Sequence, residues 1–357
     1  MPHGLSRRQK DMNTVKLTID GKEILSSEDA TILAAARAAG ITIPTLCYHE
    51  RLNPIGACGM CVVEVSGYDE PVQACATPVS EGLTVITDSE RLLQMRRESL
   101  QRLLVHHPLD CPICDKAGEC KLQDLVFECG VQLGDYRAPA TRCEAVYATP
   151  LITYWLDRCI LCLRCVTACR EIKGACALDF EETEGTGRLV FHPDRCVSCG
   201  ECLQVCPTGA LTENVSRMKG RSFLVKKVRT TCTYCGCGCQ LDLHVLGNQV
   251  VNVTGSRDVG VNRGSLCVKG RFGYEFVASD QRLRKPLIRR NGTLEEASWD
   301  EALRLVARRF THIRKEHGPD AIGGFASARC TNEENYLFQK FMRAVIGTNN
   351  VDHCARL

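Results

Sequence analysis

Apolar and polar positions alternate at the start of the chain. Val15, Leu17 and Ile19 share one face, Asp20-Gly21 is a tight-turn pair, and Ile24-Leu25 return. This period of two around such a pair predicts a β-hairpin over residues 15–25. The Ala-rich stretch 31–39 predicts a helix, closed by Gly40. Residues 62–65 and 83–86 are apolar and rich in β-branched side chains, and predict further strands. From 89 to 105, Leu92, Leu93, Leu100, Leu103 and Leu104 recur on one side of a predicted helix. His106-His107-Pro108 ends it, because proline restricts the residue before it. Near the other end, residues 299–317 predict an amphipathic helix, 321–325 a short strand and 332–346 a second helix. That β–α rhythm opens an α/β domain. Residues 214–229 concentrate Lys219, Arg221, Lys226, Lys227 and Arg229, and read as a linker.

The middle of the chain has little of this patterning and much cysteine. There are 25 cysteines in 357 residues. Disulfides need an oxidising compartment, and no secretory signal is evident at the N-terminus. The chain is therefore expected in a reducing compartment, the cytoplasm. Ser6-Arg7-Arg8-Gln9-Lys10 is similar to a twin-arginine export signal. No apolar stretch follows it, so a solvated basic tail is expected, and Met12 is an alternative start. The longest run without Asp, Glu, Lys or Arg is 243–256, too short and too polar to span a bilayer. With 45 basic and 42 acidic residues, charge gives no case for nucleic acid or a membrane surface. Aromatics are only 6%, so bound groups are expected to replace part of a larger core.

The cysteine spacing carries the chemistry. Cys159, Cys162, Cys165 and Cys169 form one C-x2-C-x2-C-x3-C run, and Cys196, Cys199, Cys202 and Cys206-Pro207 form another. This is a two-cluster ferredoxin signature, in which the fourth cysteine of each run serves the other cluster. One [4Fe–4S] is thus expected on Cys159, Cys162, Cys165 and Cys206, and another on Cys196, Cys199, Cys202 and Cys169. Asp157-Arg158-Cys159 matches Asp194-Arg195-Cys196, an internal repeat offset by 37 residues. Arg170 follows the first run in the place that Pro207 holds after the second. Zinc favours two CxxC pairs set a dozen or more residues apart, so packed soft thiolates suit iron–sulfur clusters better.

Three further sets flank the repeat. Cys47, Cys58, Cys61 and Cys75 follow the hairpin-and-helix start, as in a β-grasp [2Fe–2S] ferredoxin, although the spacing is not the plant type. Gly56 and Gly59 allow the backbone to wrap closely around sulfur. His107, Cys111, Cys114 and Cys120 could bind zinc if taken alone. His106 competes with His107, which is preferred on spacing. Cys232, Cys235, Cys239 and Cys267 form the last set, with Cys237 as the alternative third ligand. Cys129, Cys143, Cys176, Cys237, Cys330 and Cys354 remain, and are expected to pack as small hydrophobes.

In this order the motifs resemble a known family. The first two sets resemble the N-terminal [2Fe–2S] and His(Cys)3 [4Fe–4S] sites of the large iron–sulfur subunit of complex I. The last set, with Val268-Lys269-Gly270-Arg271, resembles the [4Fe–4S] domain that opens molybdopterin oxidoreductases. Together they resemble the catalytic α subunit of cytoplasmic, NAD-linked formate dehydrogenases. Iron-only hydrogenases share the first four clusters, but the Cys232–Cys267 motif argues against them. The resemblance implies one [2Fe–2S] and four [4Fe–4S] clusters, and a Mo- or W-bis-molybdopterin guanine dinucleotide in the full-length protein. It implies Lys269 as an electron relay, against the alternative of a solvated lysine. It also implies pterin contacts from Arg329, Asn332 and Asn335, against helix capping and surface polarity.

No G-x-G-x-x-G lies in a Rossmann context, so NAD and flavin are expected on a diaphorase-type or hydrogenase partner. The sequence around 326–335 and 345–357 is similar to formate dehydrogenases just before their metal-ligating cysteine or selenocysteine. An end at a recoded UGA codon is therefore expected, with a contig end or a natural terminus as rivals. The fold class expected is α+β multidomain. The chain divides into a tail (1–13), a β-grasp [2Fe–2S] domain (14–90) and a His(Cys)3 domain (91–130). A two-cluster ferredoxin-like domain (131–224, repeats near 150–180 and 187–216) comes next. A Mo/W bis-MGD-type [4Fe–4S] domain (225–282) and the start of a molybdopterin domain (283–357) complete it.

Overall fold

The computed structural model describes residues 13–132, 147–183, 186–215, 220–257 and 259–355. It separates into two units, Met1–Asn214 and Val215–Leu357. Cys143 and the basic tail of residues 1–12 lie outside the described residues.

The first unit opens with β1 (Thr14–Ile19) and β2 (Lys22–Ser27), paired antiparallel from Thr14↔Ser27 to Ile19↔Lys22. Asp20 and Gly21 both take positive φ, as a two-residue hairpin turn requires. Helix α1 (Ile32–Ala38) follows; the Thr31 side chain caps it by accepting from the Ala34 N–H. Strands β3 (Val62–Val65), β4 (Val72–Gln73) and β5 (Thr84–Ile86) complete a five-stranded sheet ordered β2-β1-β5-β3-β4. The β1–β5 pair is parallel, the others antiparallel, which is the β-grasp arrangement. Leu17, Ile19, Ile32, Leu33, Val63 and Val85 form its buried core, and Cys61 and Cys75 belong to that same core.

Helix α2 (Glu90–Leu104) starts at a Ser89 cap and buries Leu92, Leu100 and Leu104. Its buried Arg96 donates to the carbonyls of Met60, Val62 and Thr87, tying the helix to the sheet and its cysteine loop. With α3 (Lys121–Glu128) it encloses a second core that includes Cys120 and Cys129.

The repeat then folds twice. Strands β6 (Tyr147–Ala148) and β7 (Ile152–Tyr154) precede a short 3-10 turn and α4 (Arg164–Thr167). The hairpin β8 (Leu178–Thr183) and β9 (Thr186–Phe191) precedes the second 3-10 turn, α5 (Glu201–Val205) and β10 (Leu211–Glu213), which pairs with β7. Both cysteine runs share one backbone device. Leu161 and Leu163 take positive φ, and so do Ser198 and Gly200 at the equivalent positions.

Several contacts hold the β-grasp loop against the repeat, among them Asn53 bonding to Glu171. Leu52 packs on Ala168 and Val205. Glu201, only 1% exposed, accepts from Arg51 Nη1 at 2.7 Å, with Lys173 Nζ 3.8 Å from its other oxygen.

The second unit starts with a three-stranded antiparallel sheet of β11 (Lys226–Thr231), β12 (Gln240–Leu246) and β13 (Gln249–Gly255). Residues 226–229 of the basic stretch expected as linker thus belong to the edge strand β11. Its Lys226, Lys227 and Arg229 are exposed, as suits an edge that must not pair further. Helix α6 (Val268–Phe272) packs on β13. The hairpin β14 (Leu287–Arg290) and β15 (Thr293–Glu296) leads into α7 (Trp299–His317).

The apolar stripe of α7 is present but none of its residues is fully buried, and Trp299 and Leu303 are exposed. The strand expected at 321–325 is displaced. Pro319–Ala321 forms a 3-10 turn, where Pro319 presets the backbone, and β16 is Gly324–Ala326. A side chain at Gly324 would collide with Phe338, 2.6 Å from the place of a Cβ. Helix α8 (Asn332–Lys340), capped by a Thr331–Glu334 capping box, continues as a π-turn to Ile346. Strand β17 (Val351–His353) pairs parallel with β16.

Candidate cluster-binding sites

The β-grasp site gathers four thiols from two segments. The Cys58 sulfur accepts from the Cys47 N–H at 3.4 Å. The Cys47–Cys58 and Cys61–Cys75 side chains are hydrogen-bonded pairs, and the pairs feel each other's charge. Within each pair one thiol holds the proton and the other yields it. The hydrogen bond from Cys47 pulls Cys58 down to about 6, and that to Cys58, helped by burial, pushes Cys47 well up. Gly56 and Gly59 take positive φ, and a Cβ on either would fall within 2.8 Å of Gln73 or Ser99. Both glycines are therefore required by the loop that wraps the sulfurs.

At the second site His106 is exposed while His107 is half-buried. The His107 Nδ1 is buried with no hydrogen-bond partner, and burial lowers the ring's pKa. A neutral imidazole with an unsatisfied buried nitrogen is what a metal ligand needs. Cys111, Cys114 and Cys120 lie within electrostatic reach of one another. Cys120 is the N-cap residue of α3, and burial raises its thiol pKa.

The repeat forms two sulfur-lined cavities, and each draws its fourth cysteine from the other run. Cys159, Cys162, Cys165 and Cys206 line one. Cys169, Cys196, Cys199 and Cys202 line the other. The Leu161 N–H donates to Cys159, the Arg164 N–H to Cys162, and the Ala177 N–H to Cys169 at 3.2 Å. Burial pushes Cys162 up to about 12. Leu161 and Leu163, both left-handed, lie in the same loop as the Leu161 and Arg164 N–H groups. Among the described residues no three His, Cys, Asp or Glu side chains converge at single-ion distances. Thiols spaced around a cavity match a polynuclear cluster, whose ligands bind different irons.

In the second unit Cys232 faces Cys267, Cys235 and Cys237. Cys239 is hydrogen-bonded to Cys237, and burial together with that bond pushes it up to about 12. Both candidate third ligands therefore stand at the site, Cys237 being the exposed one. Cys267 caps α6, which places Lys269 two residues on, exposed.

Asn332 Nδ2 donates to the Gly236 carbonyl at 2.7 Å, so it braces the cysteine loop. Asn335 is occupied in its own turn: its amide donates to the Ser327 and Thr331 carbonyls at 3.0 and 3.1 Å. That geometry gives Asn335 a turn-locking role. Arg329 is exposed. Of the six surplus cysteines, Cys129 is buried in a core as expected. Cys176, Cys237 and Cys354 are exposed, which corrects the expectation of burial. Cys354 accepts from the Ala328 N–H at 3.3 Å.

These sites define a multi-cluster iron–sulfur protein of mixed α and β structure. Family models agree along the chain. They match a 2Fe-2S iron-sulfur cluster binding domain (12–90), an NADH-ubiquinone oxidoreductase-G iron-sulfur binding region (96–133) and a 4Fe-4S dicluster domain (158–210). A molybdopterin oxidoreductase Fe4S4 domain (225–279) and a molybdopterin oxidoreductase domain (282–357) follow.

The NADPH-Fe(3+) oxidoreductase subunit alpha of Geobacter sulfurreducens is 42% identical over 96% of this chain and 40% of its own. A G-type NADH-quinone oxidoreductase subunit of Rhizobium meliloti is 41% identical over 96% and 40%. A "Putative formate dehydrogenase" of Staphylococcus aureus is 34% identical over 95% and 39%. The crystal structure of an NAD+-reducing [NiFe]-hydrogenase superposes with a TM-score of 0.52 at 31% identity, over 56% of this chain and 87% of that one. Segment by segment, the chain matches domains of molybdopterin oxidoreductases and of G-type iron–sulfur subunits of NADH–quinone oxidoreductases. It spans about 40% of the length of the curated relatives it matches.

Proposed function

We propose that this chain is the electron-transfer portion of a formate dehydrogenase α subunit. It connects a Mo- or W-pterin site with an NAD- or ferredoxin-linked partner in the cytoplasm. The observation that carries this reading is the order of five sulfur-rich sites running into a molybdopterin oxidoreductase domain. The proposed ligands are Cys47, Cys58, Cys61 and Cys75 for a [2Fe–2S], and His107, Cys111, Cys114 and Cys120 for a [4Fe–4S]. The two repeat cavities and the Cys232, Cys235, Cys239, Cys267 set take the other three. When bound, the clusters supply one-electron storage.

The chain's own residues set the conditions. Backbone N–H groups donate to the sulfurs, stabilising added negative charge. His107 replaces an anionic ligand by a neutral one, which raises that site's potential. Lys269 is the proposed cation between the last cluster and the pterin, and Arg329 a pterin contact. A flavin- and NAD-binding diaphorase-type subunit or hydrogenase subunits are the proposed partners.

A second reading, a non-catalytic subunit of a complex I-like or hydrogenase complex, is favoured by the likeness to the NAD+-reducing hydrogenase structure. Among the described residues no helix is long and apolar enough to cross a membrane.

Dithionite added anaerobically to the 357-residue chain is expected to bleach its visible absorption, while formate alone leaves it unchanged. Bleaching by formate would show that the chain completes the catalytic site by itself. In the full-length protein, bound molybdenum or tungsten with formate-dependent cluster reduction supports the first reading. A protein without either metal supports the second.

A further inference from the structure

Arg164 sits in the first cysteine run, next to Cys165, and is 3% exposed. Its guanidinium donates to two carbonyls. One is Val205, beside Cys206, at 3.2 Å; the other is Tyr48, beside Cys47 and 116 residues away. It is within electrostatic reach of Cys162 and Cys206 of one site and of Cys47 and Cys58 of another. Its Nε is buried without a hydrogen-bond partner, and no described carboxylate forms an ion pair with it.

An arginine left like this is costly. A buried charge needs a countercharge, and two carbonyl dipoles do not neutralise one. Four thiolates outweigh the positive charge of an iron–sulfur core, so each loaded site is anionic. Arg164 stands between two such sites. Each becomes more negative on reduction, so a fixed cation favours the reduced form of both.

We propose that Arg164 is a positioning and tuning residue shared by the β-grasp cluster and the first repeat cluster. It fastens their loops together and raises the reduction potential of both. The Arg158–Asp110 pair shows the contrast. That arginine meets the His107 region already matched by a carboxylate at 2.7 Å, so less of its charge is left to act there. The inference rests on the proposed ligand sets of these two sites.

The test is a redox titration followed by EPR on the cluster-loaded chain and on Arg164→Gln and Arg164→Lys. Arg164→Gln keeps an amide donor and loses the charge. It is expected to make reduction of the [2Fe–2S] at least tenfold less favourable, about 59 mV for one electron. The His107 site is expected to change less. Arg164→Lys is expected to stay close to the parent.

If Arg164→Gln fails to retain the two clusters while Arg164→Lys retains them at the parent potential, the charge is again the requirement. An unchanged potential in Arg164→Gln, or an equal fall in both variants, overturns the proposal. Absence of a [2Fe–2S] signal from the parent chain overturns instead the ligand assignment beneath it.

Discussion

Cys169→Ala is expected to remove the cluster of the second run, on Cys196, Cys199 and Cys202, and to spare that of its own run. The two-cluster ferredoxin spacing predicts this crossing. Cys169 lines the space bounded by the second run and Cys206 the space bounded by the first. The geometry follows from the short helices. After Cys165 the chain continues through α4 into a π-turn that carries Cys169 away from its own loop. The same happens through α5 to Cys206. The expected loss is one [4Fe–4S], about four irons per chain. Mössbauer spectroscopy and iron analysis of Cys169→Ala and Cys206→Ala check it. Loss of the same-run cluster in each variant contradicts the crossing.

Cys75→Ala is expected to remove the [2Fe–2S] and to destabilise the β-grasp sheet. Cys75 is fully buried and packs in the same core as Leu33 and Val63. Its neighbour Ala74 accepts from the Leu33 N–H and donates to the Cys61 carbonyl, so the ligand loop is stitched into the sheet. Removing the sulfur alone costs about 1 kcal/mol of apolar burial. Losing the cluster adds more, because a metal group that binds only the folded state contributes its binding energy to folding. Thermal unfolding under argon is therefore expected to show a drop beyond that contribution. A Cys75→Ala chain that keeps its [2Fe–2S] EPR signal contradicts the ligand set.

Much of this was legible in the sequence because the chemistry is local. Four ligands within eleven residues announce themselves, and the Asp20-Gly21 turn fixes the first hairpin by backbone preference alone. The illegible parts are long-range or disguised. Nothing in Leu161 or Leu163 signals a left-handed backbone; only their equivalence to Ser198 and Gly200 hints at it. Strand β11 was hidden because Lys226, Lys227 and Arg229 resemble a solvated linker, while an exposed edge strand tolerates the same charges. Arg164 reads as one more basic residue, since its partner Tyr48 lies far off in sequence. Glu201 likewise looks like a surface carboxylate until Arg51 and Lys173 close around it.

The central claim is that the cysteines and His107 hold five iron–sulfur clusters. The most direct test is combined iron, sulfide and Mössbauer analysis of the anaerobically purified, reconstituted chain. The expected result is one [2Fe–2S] and four [4Fe–4S], about 18 irons with matching sulfide. A chain that binds zinc at these sites, or that holds no [2Fe–2S] component, contradicts it.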